Sequence, residues 1–423
     1  MTARRSVGIK SRASVTPTWI PVSWIVLFFV SSFRYSGFRD PALAAAGVAS
    51  PENALELAVY GVVGILAMTQ LVGERGRIRS LGVWLLIAFG AVAVTSSLWS
   101  TVPLFSIVRG GQVLVLALLA SVTASLWATR PEGAQKDWRR IWVAFIWLAV
   151  AFSVIGLLWQ SWLRGRFTWP GLHPGTTAEY LGIGALVALS MMIQRDWNIS
   201  LRLRRFLPFI AIGLATLMFL TVTRSVMLAF LVAVPVTIIW STFRRLDLRI
   251  LATSWLVLTL VAAVVIWPEE LFDFVLRGGT VDQLSTLTGR TELWAYALET
   301  VGDSPIVGFG YGAGRLILIE RFPWSGTGHN LWVEASVSLG LIGAFLVSAI
   351  LVWIGIRAVR AQRSSPSPIG NVGLAVGTFV LVAGVAGVGL ALPGFSQVVI
   401  ALVVAGLSSN AEHPLQEVES RSR

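Results

Sequence analysis

The side chains that could perform acid–base chemistry in this sequence are few. The chain contains three histidines and no cysteine, so a thiol nucleophile and a cysteine-ligated zinc site are excluded. His329 stands in the stretch 326–332, GTGHNLW, immediately before a long apolar segment. There a neutral imidazole could accept a proton from a hydroxyl group. The same position also fits a histidine that caps a helix or lies at a membrane interface, and position alone favours neither interpretation.

Three arginines have the character of anion ligands, because the planar guanidinium group pairs well with phosphate oxygens. Arg290 begins an amphipathic stretch that ends near Pro305, and a salt bridge with Glu292 is its structural alternative. Arg224 lies between two short apolar segments. A charge near lipid depth costs about 2.5–3.5 kcal/mol, so Arg224 is expected to face the protein interior and to have a partner there. Arg109 has the same character more weakly.

Five further residues are candidates for substrate binding, and they are Arg166, His173, Glu179, Asn330 and Glu334. His173 and Glu179 lie in the turn-rich stretch 169–180, where a structural role is the stronger interpretation. Glu334 could orient His329, although five positions along a helix is not an ideal facing interval. Because no acidic pair has the spacing of a divalent-cation site and no Gly-rich nucleotide cradle opens a helix, neither a metal nor another cofactor is expected.

Membrane helices must position these residues. The chain has 423 residues, a mean hydropathy of +0.76 and only 13% charged residues, whereas about a quarter of the residues in soluble domains are charged. Its apolar segments are long enough to cross a hydrocarbon core of roughly 30 Å, and backbone groups in lipid must be satisfied internally. An all-α integral membrane protein follows. The twelve predicted spans are 19–33, 54–72, 81–97, 104–127, 141–160, 177–193, 206–221, 226–242, 251–267, 329–356, 370–389 and 393–408.

The basic residues orient these spans. With the amino terminus in the cytoplasm, 23 of the 33 Lys and Arg residues lie in cytoplasmic segments, as the positive-inside rule requires. The net charge of +12 therefore reflects topology, and no nucleic-acid partner is expected. As one helix, 206–242 would extend ~55 Å, so a hairpin turning near Thr221–Ser225 is predicted. The expected organisation is a basic cytoplasmic amino terminus (1–18), spans one to nine (19–267), a large extracytoplasmic catalytic loop with short amphipathic helices (268–328), spans ten to twelve (329–408) and a cytoplasmic tail (409–423).

Several short motifs follow one another in a characteristic order between about residues 80 and 360. They are Leu98-Trp99-Ser100-x-x-Pro103, His173-Pro174-Gly175, Thr223-Arg224-Ser225, Gly289-Arg290-x-x-x-Trp294, Pro305-x-x-Gly308-x-Gly310-x-Gly312, and His329-Asn330 with Gly340. Together with the single large outer loop, this order resembles the O-antigen ligase, O-antigen polymerase and exopolysaccharide polymerase superfamily. Two positions depart from the family pattern, because Thr223 replaces a common serine and Gly175 replaces a common asparagine.

The resemblance implies a GT-C-like helical fold and a glycosyltransferase that needs neither a nucleotide sugar nor a metal. Such an enzyme moves a glycan from a polyprenyl-pyrophosphate donor to an acceptor hydroxyl at the outer face of the cytoplasmic membrane. By their places in the motifs, Arg224 and Arg290 match the arginines that hold the pyrophosphate, and His329 matches the essential loop histidine. The expected partners are the lipid bilayer, the lipid-linked donor, a flippase and a chain-length regulator.

The acceptor distinguishes the members of this superfamily. A growing chain makes the enzyme a polymerase, and a lipid or protein acceptor makes it a ligase. We favour a polymerase, because the excess of arginine over lysine suggests a high-GC bacterium without classical lipopolysaccharide.

A transporter is the main alternative from another class, and a flippase of the same lipid-linked glycan is its nearest form. Twelve spans suit a transporter, and charges inside the membrane often mark a substrate path. However, the candidate residues lie toward the outer side, and the two halves show no corresponding broken helices. A non-catalytic scaffold would leave the polar edges of the large outer loop unexplained.

Overall fold

The computed structural model of the protein describes residues 17–32, 51–73, 80–159, 162–163, 165–170, 172–241, 289–364, 367–387, 389–392 and 394–409. Its helices are α1 (Trp19–Ser32), α2 (Pro51–Gly73), α3 (Leu81–Thr95), α4 (Pro103–Thr129), α5 (Pro131–Leu158), α6 (Pro174–Ile193), α7 (Leu201–Leu220), α8 (Arg224–Ser241), α9 (Arg290–Val301), α10 (Gly314–Arg321), α11 (Leu331–Ser364), α12 (Pro368–Gly384) and α13 (Phe395–Ser409). Short 3-10 turns cover Ser96–Leu98, Arg195–Trp197 and Gly389–Ala391. One antiparallel pair of two-residue strands, β1 (Trp162–Leu163) and β2 (Arg166–Phe167), precedes α6.

The chain is an all-α, multi-pass membrane protein. In its described part, seven helices are long and apolar enough to cross a membrane, and four shorter helices are also apolar. Every predicted span except 251–267 overlaps one of these helices, and 251–267 lies outside the described residues. The predicted turn near Thr221–Ser225 is confirmed, because α7 ends at Leu220 and α8 begins at Arg224.

The bundle is built around α13, all of whose residues are buried. Small side chains in this helix let its neighbours approach closely, which is how membrane helices gain packing energy without a hydrophobic driving force between them. An aromatic cluster joins α13 to α1, α5 and α6. The ring of Phe395 stacks on Tyr180 and on Phe145, with centroid distances of 3.5 and 5.6 Å, and Phe28 lies 5.0 Å from Phe145.

Helix α11 is broken at Leu339 and Gly340. Gly340 has φ 63° and ψ −158°, a backbone region that essentially only glycine adopts. A straight helix of 34 residues would extend ~51 Å, which is longer than a membrane crossing. The predicted span 329–356 is therefore corrected to a short buried segment before the kink and a crossing segment after it.

Contacts with α12 show where the first segment of α11 goes. Gly377 of α12 lies beside Ile354, and Gly384 lies beside Leu331. The two α12 positions are roughly 10 Å apart along their helix, whereas Leu331 and Ile354 would be roughly 34 Å apart on a straight one. The segment 331–338 must therefore bend back toward the end of α12, which brings the residues before α11 into the bundle.

The turn 305–312 satisfies the backbone groups that the kink leaves without helical partners. The amide of Gly310 donates to the carbonyl of Ser338 at 2.9 Å, and the amide of Leu341 donates to the carbonyl of Pro305 at 2.8 Å. Buried backbone groups need such partners. The glycine motif of this turn is therefore a structural device that stabilises the kink.

Tyr311 anchors the same turn to the 3-10 turn after α3 and to helices α4 and α13. Its amide donates to Ser96 Oγ at 2.9 Å, and its carbonyl accepts from Ser106 Oγ at 2.9 Å. Its hydroxyl accepts from Gln397 Nε2 at 2.8 Å. A side chain on Gly310 would overlap Ser100. The motif 98–103 after α3 and the glycine-containing turn 305–312, about 200 residues apart in sequence, thus lie in contact.

Candidate functional site

The short turn after α12 gathers the residues singled out in the sequence. Arg290, the first residue of α9, donates from Nη1 to the carbonyl of Ala386 at 3.1 Å. Asn330, directly before α11, donates from Nδ2 to the carbonyl of Val385 at 2.9 Å. The predicted span 370–389 is too long, because α12 ends at Gly384 and the residues after it form this turn.

The starts of α6 and α8 meet at the same end of the bundle. A Cβ on Gly175 would lie 4.0 Å from Thr223 Cγ2. His173 caps α6, and its Nδ1 accepts from the amide of Gly175 at 3.0 Å, so its other ring nitrogen carries the proton in the neutral form. Helix amino termini present partial positive charge and free N–H groups. The convergence of several such termini favours an anionic ligand.

Arg224 and Arg290 are the cations of this site. Neither forms an ion pair with a carboxylate of the described residues, and the Nε atom of Arg224 is buried without a hydrogen-bond partner among them. Burial first, and then the positive charge of Arg224, lower the pKa of Arg290. Because two neighbouring cations here lack a described counter-charge, the site can accept a doubly charged anion.

Arg166 holds the turn that precedes Arg224. Its Nε donates to the carbonyl of Thr221 at 2.7 Å, and its Nη2 donates to Thr223 Oγ1 at 2.9 Å. Between them Val222 has φ 49°, a left-handed conformation that costs a β-branched residue about 1–3 kcal/mol. Burial lowers the pKa of Arg166. Its predicted role in binding substrate stays a prediction, and its observed contacts position the loop before Arg224.

His329 also has a strained backbone, with φ 47°. Its ring lies parallel to the indole of Trp324, with an angle of 15° and a centroid distance of 6.2 Å. Burial, and then the positive charges of Arg290 and His173, lower the pKa of His329 from 6.5 to about 4. The imidazole is therefore neutral near pH 7 and has a nitrogen lone pair available to accept a proton.

The loop before α11 is fixed through its backbone. Glu334 is fully buried, and its Oε2 accepts from the amide of Gly328 at 2.6 Å. The carbonyl of Gly328 accepts from Trp294 Nε1 at 2.8 Å, and the carbonyl of Gly326 accepts from Arg315 Nε at 2.9 Å. Glu334 thus binds the backbone amide directly before His329. The interval of five residues between His329 and Glu334 did not predict this contact.

Helix α9 forms where the amphipathic pattern predicts it, and part of its apolar face packs inside the protein. Leu293 and Ala297 are buried against Leu318 and Val337 of the neighbouring helices. Leu298 is 57% exposed. Because α9 packs on α11, the position of Arg290 is fixed relative to the loop that carries His329.

Two further candidates occupy other surroundings. Glu179 accepts from Ser396 Oγ at 2.7 Å, within a small cavity between α6, α12 and α13, and a Cβ on Gly387 would lie 3.9 Å from its Oε1. Glu179 therefore lies next to the turn after α12 and borders the site. Arg109 forms an ion pair with Glu56 at 3.1 Å and a hydrogen bond with Gln112, so it belongs to a contact between α2 and α4.

Sequence reasoning missed the turn 385–387, because its apolar residues extend the pattern of a span. The signal that could have found it is the close spacing of Gly384, Gly387 and Gly389, which is typical of a turn. The contacts by which Trp294 and Arg315 hold the loop backbone were missed as well. In the part of the chain that the structure describes, no three His, Asp or Glu side chains group as metal ligands would.

Comparisons with known proteins found similarities over parts of this chain. A family model described as O-antigen ligase matches residues 209–348, a range that includes Arg224, Arg290 and His329. The exopolysaccharide production protein ExoQ of Rhizobium meliloti (strain 1021) is 39% identical over 85 residues, which are 18% of this chain and 20% of ExoQ. The chain thus matches about a fifth of the length of that curated relative. Together the two matches confirm the resemblance of this chain to the O-antigen ligase and polymerase superfamily.

Proposed function

We propose that this protein is a metal-independent glycosyltransferase of surface polysaccharide synthesis. It transfers a glycan from a polyprenyl-pyrophosphate donor to an acceptor hydroxyl at the outer face of the cytoplasmic membrane, and the acceptor is a growing chain. The observation that carries this proposal is the convergence of Arg290 and Asn330, the residue after His329, on the turn after α12, with Arg224 and His329 close enough to Arg290 for their charges to interact. The family match over all three residues supports it.

The two arginines bind the pyrophosphate of the donor. When the bond between the sugar carbon and the pyrophosphate oxygen breaks, its electron pair stays on that oxygen. Arg224 and Arg290 stabilise the growing negative charge more strongly than they stabilise the ground state. A contact of this kind typically contributes about 10²–10³ in rate.

His329 accepts the proton of the acceptor hydroxyl as the new bond to the sugar carbon forms. General-base catalysis of this type contributes roughly 10²–10⁴ in rate. Before the donor binds, burial, and then the positive charges of Arg290 and His173, keep the pKa of His329 low. The bound pyrophosphate offsets those charges and raises the pKa of His329, so that proton transfer becomes favourable when the donor is in place.

The finer architecture is part of the same proposal. Twelve crossings in a GT-C-like arrangement, with both termini in the cytoplasm, would place the site outside. The apolar helices and the distribution of basic residues support this topology. A flippase and a chain-length regulator are its proposed partners. A lipid or protein acceptor would make the enzyme a ligase with the same site, and transport of the lipid-linked glycan without a new bond is the alternative from another class.

The test uses the purified full chain in nanodiscs with a polyprenyl-pyrophosphate oligosaccharide of defined length. We expect products longer by whole donor units, unchanged by a metal chelator. Arg224→Ala, Arg290→Ala and His329→Ala should remain folded and lose at least about 10² in rate. Arg205→Ala, an exposed arginine on α7, is the matched control and should transfer normally.

Each part of the proposal has its own contradicting result. Near-normal transfer by His329→Ala would exclude the base role. Loss of activity with chelator would exclude the metal-independent mechanism. Movement of the donor across proteoliposomes without a new glycosidic bond would replace the enzyme with a flippase.

A further inference from the structure

Trp324 is a large aromatic side chain that stays exposed on a rigid loop. Its residue is 54% exposed, although the backbone on its carboxyl side is held at successive positions. The amide of Ser325 donates to the carbonyl of Phe322 at 2.8 Å, and Ser325 Oγ donates to the carbonyl of Thr327 at 2.6 Å. Because its backbone is held, the exposed indole is a preformed surface, and such a surface loses little conformational entropy when it binds a ligand.

The orientation of the indole is also fixed. Phe322 lies edge-on to it, with a centroid distance of 6.0 Å and an angle of 76°. His329 lies parallel to it on the loop side. A Cβ on Gly289 would lie 3.5 Å from Trp324 Cζ2, so the indole edge reaches the residue before Arg290. Trp324 therefore touches the segments that carry two of the three candidate catalytic residues.

The chemistry of this surface fits a sugar ring. A six-membered sugar presents an apolar C–H face and a rim of hydroxyl groups, and an aromatic face carries negative charge density that attracts C–H groups. Sites for such ligands combine an aromatic wall with a few placed polar groups. Beside Trp324 such a group is His329, and the indole edge also reaches Gly289, the residue before Arg290.

We propose that Trp324 is the stacking platform of the acceptor sugar, and that it holds the acceptor hydroxyl next to His329. The inference rests on the proposed function and adds a subsite to it. The acceptor is preferred to the donor sugar because the indole lies parallel to His329, the residue that takes the acceptor proton, whereas the donor is held through its pyrophosphate. If the contact between the sugar ring and the indole is as strong as one between two aromatic rings, it changes affinity by about 2- to 12-fold.

The binding test does not depend on transfer. Oligosaccharides released from the host cell's own surface polysaccharide are added to the full chain in nanodiscs, and saturation transfer from protein to sugar C–H protons is measured by NMR. We expect binding by the unchanged protein, about tenfold weaker binding by Trp324→Ala, and binding by Trp324→Phe close to that of the unchanged protein. Trp147→Ala is the matched control, because Trp147 is 50% exposed on the membrane helix α5.

A kinetic test separates acceptor from donor. Trp324→Ala should raise KM for the acceptor and leave KM for the donor and kcat at saturating acceptor close to normal. A raised KM for the donor alone would overturn the acceptor assignment. Equal sugar binding by Trp324→Ala and the unchanged protein would overturn the subsite and leave the indole as an anchor at the membrane interface. If no protein transfers glycan but Trp324→Ala still loses sugar binding, the proposed function fails and the sugar subsite stands.

Discussion

The replacement of Gly340 by alanine tests whether the kink in α11 builds the site. At Gly340 a Cβ would overlap the carbonyl of Ile306 and would lie 2.6 Å from the amide nitrogen of Val307. The backbone conformation itself costs a non-glycine residue about 1–3 kcal/mol, and forcing a methyl group into packed surroundings costs about 1–3 kcal/mol more. We therefore expect Gly340→Ala to destabilise the fold by about 2–6 kcal/mol.

Gly355→Ala in the same helix is the matched control. Nothing lies within 4 Å of a Cβ at that position, and the residue is in the helical interior of α11. Alanine there should be neutral or stabilise the helix by up to ~1 kcal/mol. The two variants differ from each other only in the place of one methyl group.

The assay is thermal unfolding of both variants in the same detergent, followed by glycan transfer at a temperature where both are folded. Gly340→Ala should unfold several degrees earlier. Its transfer rate should also fall, because the kink directs the segment 331–338 that carries the His329 loop into the bundle. Equal melting midpoints and equal transfer by the two variants would refute the role assigned to the kink.

Two further predictions concern the pKa of His329 and the contacts of Arg166. The pKa of His329 is about 4 in the free protein, so kcat/KM should change little between pH 7 and pH 5.5. At pH 5.5 a histidine with a pKa of 6.5 would already be about 90% protonated. If kcat/KM fell with a midpoint near pH 6.5, the environment assigned to His329 would be wrong. Arg166→Ala should release the turn before Arg224 and raise KM for the donor at least several-fold while the acceptor KM stays unchanged, and Arg166→Lys should restore this only in part because lysine lacks the planar fork. An unchanged donor KM in Arg166→Ala, with Arg205→Ala as the reference, would show that the turn does not depend on Arg166.

Those properties of the fold that depend on local composition could be predicted. The apolar segments predicted helices and membrane residence, because an apolar stretch in lipid must satisfy its backbone by itself. The basic clusters around 202–205 and 244–249 required a hairpin at Thr221–Ser225, and α7 and α8 end and begin there. His329 was found because it stands at the edge of an apolar segment, where a titratable group is conspicuous, and Arg290 because it begins an amphipathic stretch.

The remaining features depend on residues that are far apart in the chain. No local pattern shows that the turn 305–312 pairs with the kink at Gly340, since each needs the other for its hydrogen bonds. In the sequence, the turn 385–387 resembles the end of a span. Its role is visible only in the structure, where Arg290 and Asn330 donate to its carbonyls.

Residue types and order along the chain thus determined the membrane class, the helices and the few groups able to do chemistry. Only the tertiary structure decided that Glu334 fixes the backbone of Gly328, that Arg109 belongs to another contact, and that Trp324 stays exposed beside His329. The physical reason is that hydropathy is summed over neighbours in sequence, whereas hydrogen bonds and ring contacts are made by neighbours in space.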